Sequence, residues 1–140
     1  MIPLVLAAAA AAIGLIGWSW WRGEGQLKPG SGERILPREV ALPDDAFGSV
    51  GTMLLFGSRQ DERTDLARVR LEAMVDGIPG VVLAEVDLAA RGDLAGRYGV
   101  TRTPSLFALD GQGRLRARVK GATDTATMRA ALDTVLRPAD

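Results

Sequence analysis

Pro104 is the residue that most narrows what this chain can fold into. It stands at the mouth of an apolar run, Ser105-Leu-Phe-Ala-Leu109, which is followed by Asp110-Gly111-Gln112-Gly113 and then by alternating Leu115, Ala117 and Val119. Two such runs joined by a glycine-bearing turn read as an antiparallel hairpin. A strand entrance is one of the few places where proline fits a sheet. Its missing N–H removes a ladder bond, and Thr103 before it is pushed toward an extended conformation.

The upstream chain has to supply the rest of that sheet. Thr52-Met-Leu-Leu-Phe56 is a continuous apolar run between Gly51 and Gly57, as expected of a central strand buried on both faces. Ser58 to Asp61 offers cap residues, after which Leu66, Val69, Leu71, Met74 and Val75 recur at helical spacing toward Gly77 and Pro79. Val81 to Val86 reads as a second strand, and Leu94 and Tyr98 mark a shorter helix leading to Gly99. A last helix from about Thr123 to Leu136 turns Met128, Leu132, Val135 and Leu136 inward, with Pro138 beyond it. The order predicts an α/β fold with parallel leading strands and an antiparallel hairpin added at one edge.

Composition removes whole classes of chemistry. Cysteine and histidine are both absent, which excludes thiolate nucleophiles, disulfides, histidine-based triads and the usual zinc or haem ligands. No cofactor or metal is expected. Lysine plus arginine and aspartate plus glutamate number 17 each, so no charge excess points to nucleic acid.

Residues 1–22 read as a transmembrane anchor. Ile2 to Trp21 carries no charge, and a helix of about twenty residues spans the roughly 30 Å of a bilayer core. Trp18, Trp20 and Trp21 beside Arg22 match an aromatic belt followed by a charged stop. A cleaved signal peptide is the rival reading. It fits less well, because no Lys or Arg precedes the apolar run and the small residues Ala7 to Ala12 lie inside it. Arg22, Lys28, Arg34 and Arg38 follow the run, which places the soluble part on the cytoplasmic side of a cell membrane, with an extracytoplasmic domain as the alternative. Residues 23–47 read as a flexible linker: Gly23 to Gly32 cannot bury a face, and Glu39 to Leu42 forms at most one short edge strand. Residues 48–138 form the domain.

The arrangement resembles the thioredoxin family. There a Gly-Val/Ile-X-X-X-Pro segment carries a cis proline into the first strand of a terminal hairpin, and Gly99, Val100 and Pro104 match it, with Gly121 where that family has a glycine after its last strand. The likeness covers Thr52 to Leu136 and implies a mixed sheet flanked by helices, with the family's leading strand and helix reduced or missing. Counted on from Phe56, the two redox cysteines of the family fall at Asp61 and Thr64, so the motif reads Asp61-Glu62-Arg63-Thr64, with Gln60 in the place of tryptophan. The buried aspartate that assists thiol deprotonation falls at Leu55. The fold-bearing residues are kept and every redox position is replaced.

Elementary chemistry gives these residues other work. A helix N-terminus presents orphan N–H groups and positive dipole charge, which an Asp61 side chain satisfies as a cap; a catalytic Asp61 and Glu62 pair is the sharper alternative. The resemblance implies a peptide-binding groove beside Pro104, bordered by Gln60, Asp61, Arg102 and Thr103. Arg114, Arg116, Arg118 and Lys120 alternate with apolar residues and form a basic ridge. That ridge reads as a solvated edge guarded against pairing, or as a contact for anionic lipid or an acidic partner.

These observations lead to a membrane-tethered, redox-inactive thioredoxin-like domain that binds protein. The alternatives are a thiol-disulfide oxidoreductase homologue with degenerate or unknown activity and a purely structural membrane module. For topology, single cysteines at Ser31 and near the C-terminus are expected to resist membrane-impermeant thiol reagents in intact cells. Labelling of both without lysis reverses the orientation.

Overall fold

The computed structural model describes residues 26–121 and 124–137. The expected anchor, Ile2 to Trp21, lies outside them, and no helix among the described residues is long and apolar enough to cross a membrane.

Among the described residues, five strands form one sheet: β1 (Leu27–Pro29), β2 (Gly51–Gly57), β3 (Val81–Asp87), β4 (Ser105–Asp110) and β5 (Leu115–Lys120). Their spatial order is β1-β5-β4-β2-β3. Only β2 and β3 run parallel, linked by helix α1 (Glu62–Val75); the β4–β5 hairpin follows the short helix α2 (Asp93–Arg97), and α3 (Thr125–Leu136) closes the chain. The element order from β2 onward is the one expected. Every residue of β2 is buried, because β3 and β4 flank it and both its faces are covered.

The two faces are packed differently. On the first, Met53, Leu55, Leu106 and Ala108 meet Leu71 and Met74 of α1 and Met128 and Leu132 of α3. On the second, Leu54, Phe56 and Phe107 meet Leu94, Tyr98 and Val100, together with Ile35 and Val40 from the entering chain. Phe56 and Phe107 meet edge-on with ring centroids 4.7 Å apart, and Tyr98 stands 6.0 Å from Phe56. Each fully buried aliphatic or aromatic side chain contributes on the order of 2 kcal/mol.

Helix α1 sits in another phase than its apolar spacing predicts. Thr64, Ala67, Leu71 and Met74 face the sheet, while Leu66 and Val69 are 50% and 61% exposed. Close approach decides this. A Cβ added at Gly57 would lie 2.3 Å from Thr64 Cγ2, so helix and strand already touch, and only small residues fit at that end of the contact. Leu136 of α3 is likewise exposed, while Ala131 is buried beside Met128, Leu132 and Val135.

The linker expectation also needs correction. Leu27, Lys28 and Pro29 pair with Val119, Arg118 and Ala117, and the chain continues along β5 through Gly30 N–H to Arg116 O and Gly32 N–H to Leu115 O, both 3.0 Å. A Cβ at Gly30 would meet Leu115 O at 2.3 Å, so glycine there permits backbone-to-backbone contact. What composition marks as a tether is, from Leu27 on, the edge of the sheet. The edge strand expected at Glu39 to Leu42 is instead a 3-10 helix, Pro37–Val40, in which Glu39 Oε1 accepts from Leu36 N–H at 3.0 Å. Pro37 suits that first turn, where no N–H is needed. The second carboxylate oxygen of Glu39 meets Arg97 Nη2 at 2.9 Å and ties the entering chain to α2.

Tyr98 is the one tyrosine of the chain, and its hydroxyl is buried with no hydrogen-bond partner among the described residues. Burial pushes that hydroxyl above its ordinary value, so its contribution to stability is whole below about pH 10 and is lost as the pH rises through the folded value. Tyr98→Phe is expected to leave stability at pH 7 unchanged or raise it by up to about 1 kcal/mol, and to remove the alkaline loss. Urea midpoints at neutral and alkaline pH measure both. A clear loss at pH 7 would show that the hydroxyl has a partner.

Candidate functional site

The residues expected in the place of a redox motif, Asp61 to Thr64, lie where β2 ends and α1 begins. Asp61 is the N-cap, with extended backbone at φ −101° and ψ 116°, and its Oδ1 accepts from Arg63 N–H at 3.0 Å. Its carbonyl accepts from Thr64 and Asp65 N–H at 3.1 and 3.2 Å, which starts the helical ladder.

The other carboxylate oxygen faces the neighbouring loop. Asp61 Oδ2 accepts from Thr64 Oγ1 at 3.4 Å and from Thr103 Oγ1 at 3.3 Å, across 42 residues of sequence. Thr64 Oγ1 in turn accepts from Ser58 N–H at 3.3 Å. The Thr103–Pro104 peptide is cis, and Pro104 is buried behind it. Ser105 Oγ donates to Arg102 O at 2.6 Å and shapes the turn into β4. Among the described residues, neither the N–H nor the C=O of Thr103 has a backbone partner.

The structure thus brings Asp61, Thr64, Thr103 and Pro104 together. Gln60 is exposed beside the cap, held by its N–H to Ser58 Oγ at 3.3 Å, and Arg102 is exposed at the start of the turn. Glu62 and Arg63 are exposed on the outer side of the first turn of α1, and Arg63 Nε stands 3.7 Å from Asp61 Oδ1. A catalytic Asp61 and Glu62 pair is not favoured, because both oxygens of Asp61 accept hydrogen bonds, one from the helix N–H and the other from two threonines. Leu55, expected in the place of the family's buried aspartate, is 1% exposed in the apolar cluster of the first face.

Sequence reading missed the polar supports. Ser58 and Ser105 fix the two loops through short local bonds, which no spacing rule singles out. Behind α1, a small open cleft of about 60 Å³ is lined by Gly57, Ser58, Arg59, Thr64, Arg68 and Glu85, among others. There Arg68 bonds Glu85 Oε1 at 2.6 Å and Asp65 Oδ1 at 2.7 Å, and these bonds hold its guanidinium above the ordinary value. Among the described residues, no group of three or more acidic side chains is placed to hold a metal ion.

The β2-α1-β3 unit, the cis proline and the hairpin define a thioredoxin-like fold without cysteine. Solved structures share it: mitochondrial thioredoxin 3 from Saccharomyces cerevisiae at 20% identity over 61% of this chain and 79% of that one, TM-score 0.52; thioredoxin from Fasciola hepatica at 21% over 61% and 81%, TM-score 0.52. A mutant thioredoxin from Halobacterium salinarum is similar at 15% identity over 66% and 80%, with a TM-score of 0.56. No protein-family model and no curated protein matches the sequence. Without a thiol the chain has no group to attack a disulfide, so thiol-disulfide exchange by its own residues is excluded.

The cap reading is testable. Asp61→Ala is expected to cost about 1 kcal/mol, and Asp61→Asn well under that, because asparagine also caps a helix. Urea titration followed by circular dichroism measures the difference. A gain in stability on Asp61→Ala would mean that the carboxylate is held there against the fold, as a working group is.

Proposed function

We propose that the chain is a membrane-tethered, redox-inactive thioredoxin-like module that binds an extended segment of another protein in the groove between the start of α1 and Pro104. The observation that carries this reading is the Thr103 Oγ1 to Asp61 Oδ2 contact at 3.3 Å, which draws the cap and the loop before β4 into one border. Thr103 then offers an N–H and a C=O with no backbone partner among the described residues, the groups that strand-like pairing with a peptide uses. Gln60 and Arg102 stand exposed at the rim, where side-chain selection would occur. Ile2 to Trp21 serves as the tether, with the module on the cytoplasmic side. The likeness to thioredoxins supports the groove by analogy of fold, and the missing cysteines separate binding from reduction.

Asp61→Cys tests the groove. Since the chain has no other thiol, the variant is expected to trap, as mixed disulfides in cells, a small set of partners bearing a cysteine near the bound segment. The same thiol at Val69, exposed on the outer side of α1, should trap none of them. Asp61→Cys combined with Thr64→Cys should close a disulfide, since the two lie within one turn of each other. Equal trapping at positions 61 and 69, or none at 61 while the double variant closes, would overturn the binding role and leave the fold intact.

A further inference from the structure

The basic ridge of β5 is divided by the structure, and one part of it has no ion-pair partner among the described residues. A bulge between Ala108 and Leu109 shifts the register, so Leu115 turns to the second face while Ala117 and Val119 turn to the first. Arg114 and Arg116 stay at the hairpin tip, where Arg114 Nη1 bonds Gly32 O at 3.2 Å and Arg116 Nε stands 3.9 Å from Asp110. Arg118 and Lys120 point the other way along the second face, opposite Phe107 and Ser105.

Lys28 of β1 lies directly opposite Arg118 in the antiparallel pair. Like charges in that position repel and destabilise the ladder. No carboxylate pairs with Lys28, Arg118 or Lys120 among the described residues. Arg118 is held in place by its stack over the Phe107 ring at 5.2 Å and by a 3.5 Å bond to Tyr98 O. Guarding a sheet edge would require only Lys28, the residue on the outermost strand. Helix α3 covers the first face as far as β1, whereas no β1 residue joins the apolar cluster of the second face. Lys28 is exposed there and Arg118 and Lys120 are half-buried, so three cations share one partly open stretch of sheet.

Chain length sets what can reach this stretch. Six residue steps separate Trp21 from Leu27, which even fully extended cover about 20 Å. We infer that the second face at the β1–β5 edge rests on anionic phospholipid, with Lys28, Arg118 and Lys120 against the headgroups of the bilayer that holds Ile2 to Trp21. The inference rests on the tether reading given above. Each cation near an anionic surface strengthens contact roughly fivefold, so three give on the order of a hundredfold. The domain is then oriented on the membrane as well as tethered to it.

The sequence supplies its own probe, because lysine occurs only at positions 28 and 120. The full chain is reconstituted in vesicles of phosphatidylcholine, alone or with about a third phosphatidylglycerol, and side-chain acylation is read by mass spectrometry. A lysine introduced as Val69→Lys, on the outward side of α1 and thus beyond the opposite face, reports any general effect of the surface on amine reactivity. With phosphatidylglycerol, Lys28 and Lys120 should react at least roughly fivefold more slowly than on neutral vesicles, with the reporter unchanged, and salt at about 0.5 M should abolish the difference. Arg118→Gln should weaken the protection of both lysines.

The outcomes separate the two readings. If the chain floats with neutral vesicles and its lysines react equally on both kinds, the tether stands and the lipid contact is overturned; an acidic protein as the true occupant gives this same result. If all three lysines slow together, the contact is likewise overturned. If the chain does not float with neutral vesicles, the tether fails, and the lipid contact fails with it.

Discussion

The contact between Gly57 and Thr64 decides where the candidate site of this molecule lies. Glycine at the last residue of β2 lets the first turn of α1 descend onto the strand, and the Thr64 side chain fills the space that a Cβ would occupy. That contact fixes the rotation of the helix, and with it the three residues that follow on the same side, Ala67, Leu71 and Met74. It also fixes Asp61, one turn earlier, at a height from which its carboxylate reaches both the Arg63 N–H and Thr103. A larger residue at 57 would lift the helix and separate the cap from the loop before β4.

Much of the architecture was legible because burial leaves a pattern. The continuous apolar run of β2, the glycine-bearing hairpin and the proline at its entrance each follow from a physical rule with few exceptions. The phase of α1 was not legible, since Leu66 and Val69 carry the same apolar signal as Leu71 and Met74. The choice between them was made by Thr64 and Ala67, small residues whose value lies in closeness and not in hydrophobicity. The leading strand escaped for a related reason. Leu27 to Gly32 runs along β5 chiefly through backbone bonds, and backbone groups are the same in every sequence.

The candidate site was legible only by position. The count from Phe56 marks Asp61 and Thr64, and the segment that begins at Gly99 marks Thr103 and Pro104. The link between them, a hydroxyl to a carboxylate across the sheet end, is a tertiary fact with no local signature. The same holds for Lys28 facing Arg118, because their strands are distant in sequence and one of them reads as linker.

Placing the entering strand at the outer edge of β5 has a mechanical consequence. Any load applied to the chain before Gln26 arrives first at the three paired residues of β1, well before it reaches the strands that carry the apolar clusters. A ladder of three residues paired on one side opens with fewer bonds broken than β2, which is flanked on both sides and buried along its whole length. The molecule can thus lose its outermost strand under tension while its interior stays assembled. Detachment would uncover the backbone groups of Ala117 to Val119 as a fresh pairing edge, so strain upstream of the domain becomes a change in which surfaces the domain presents.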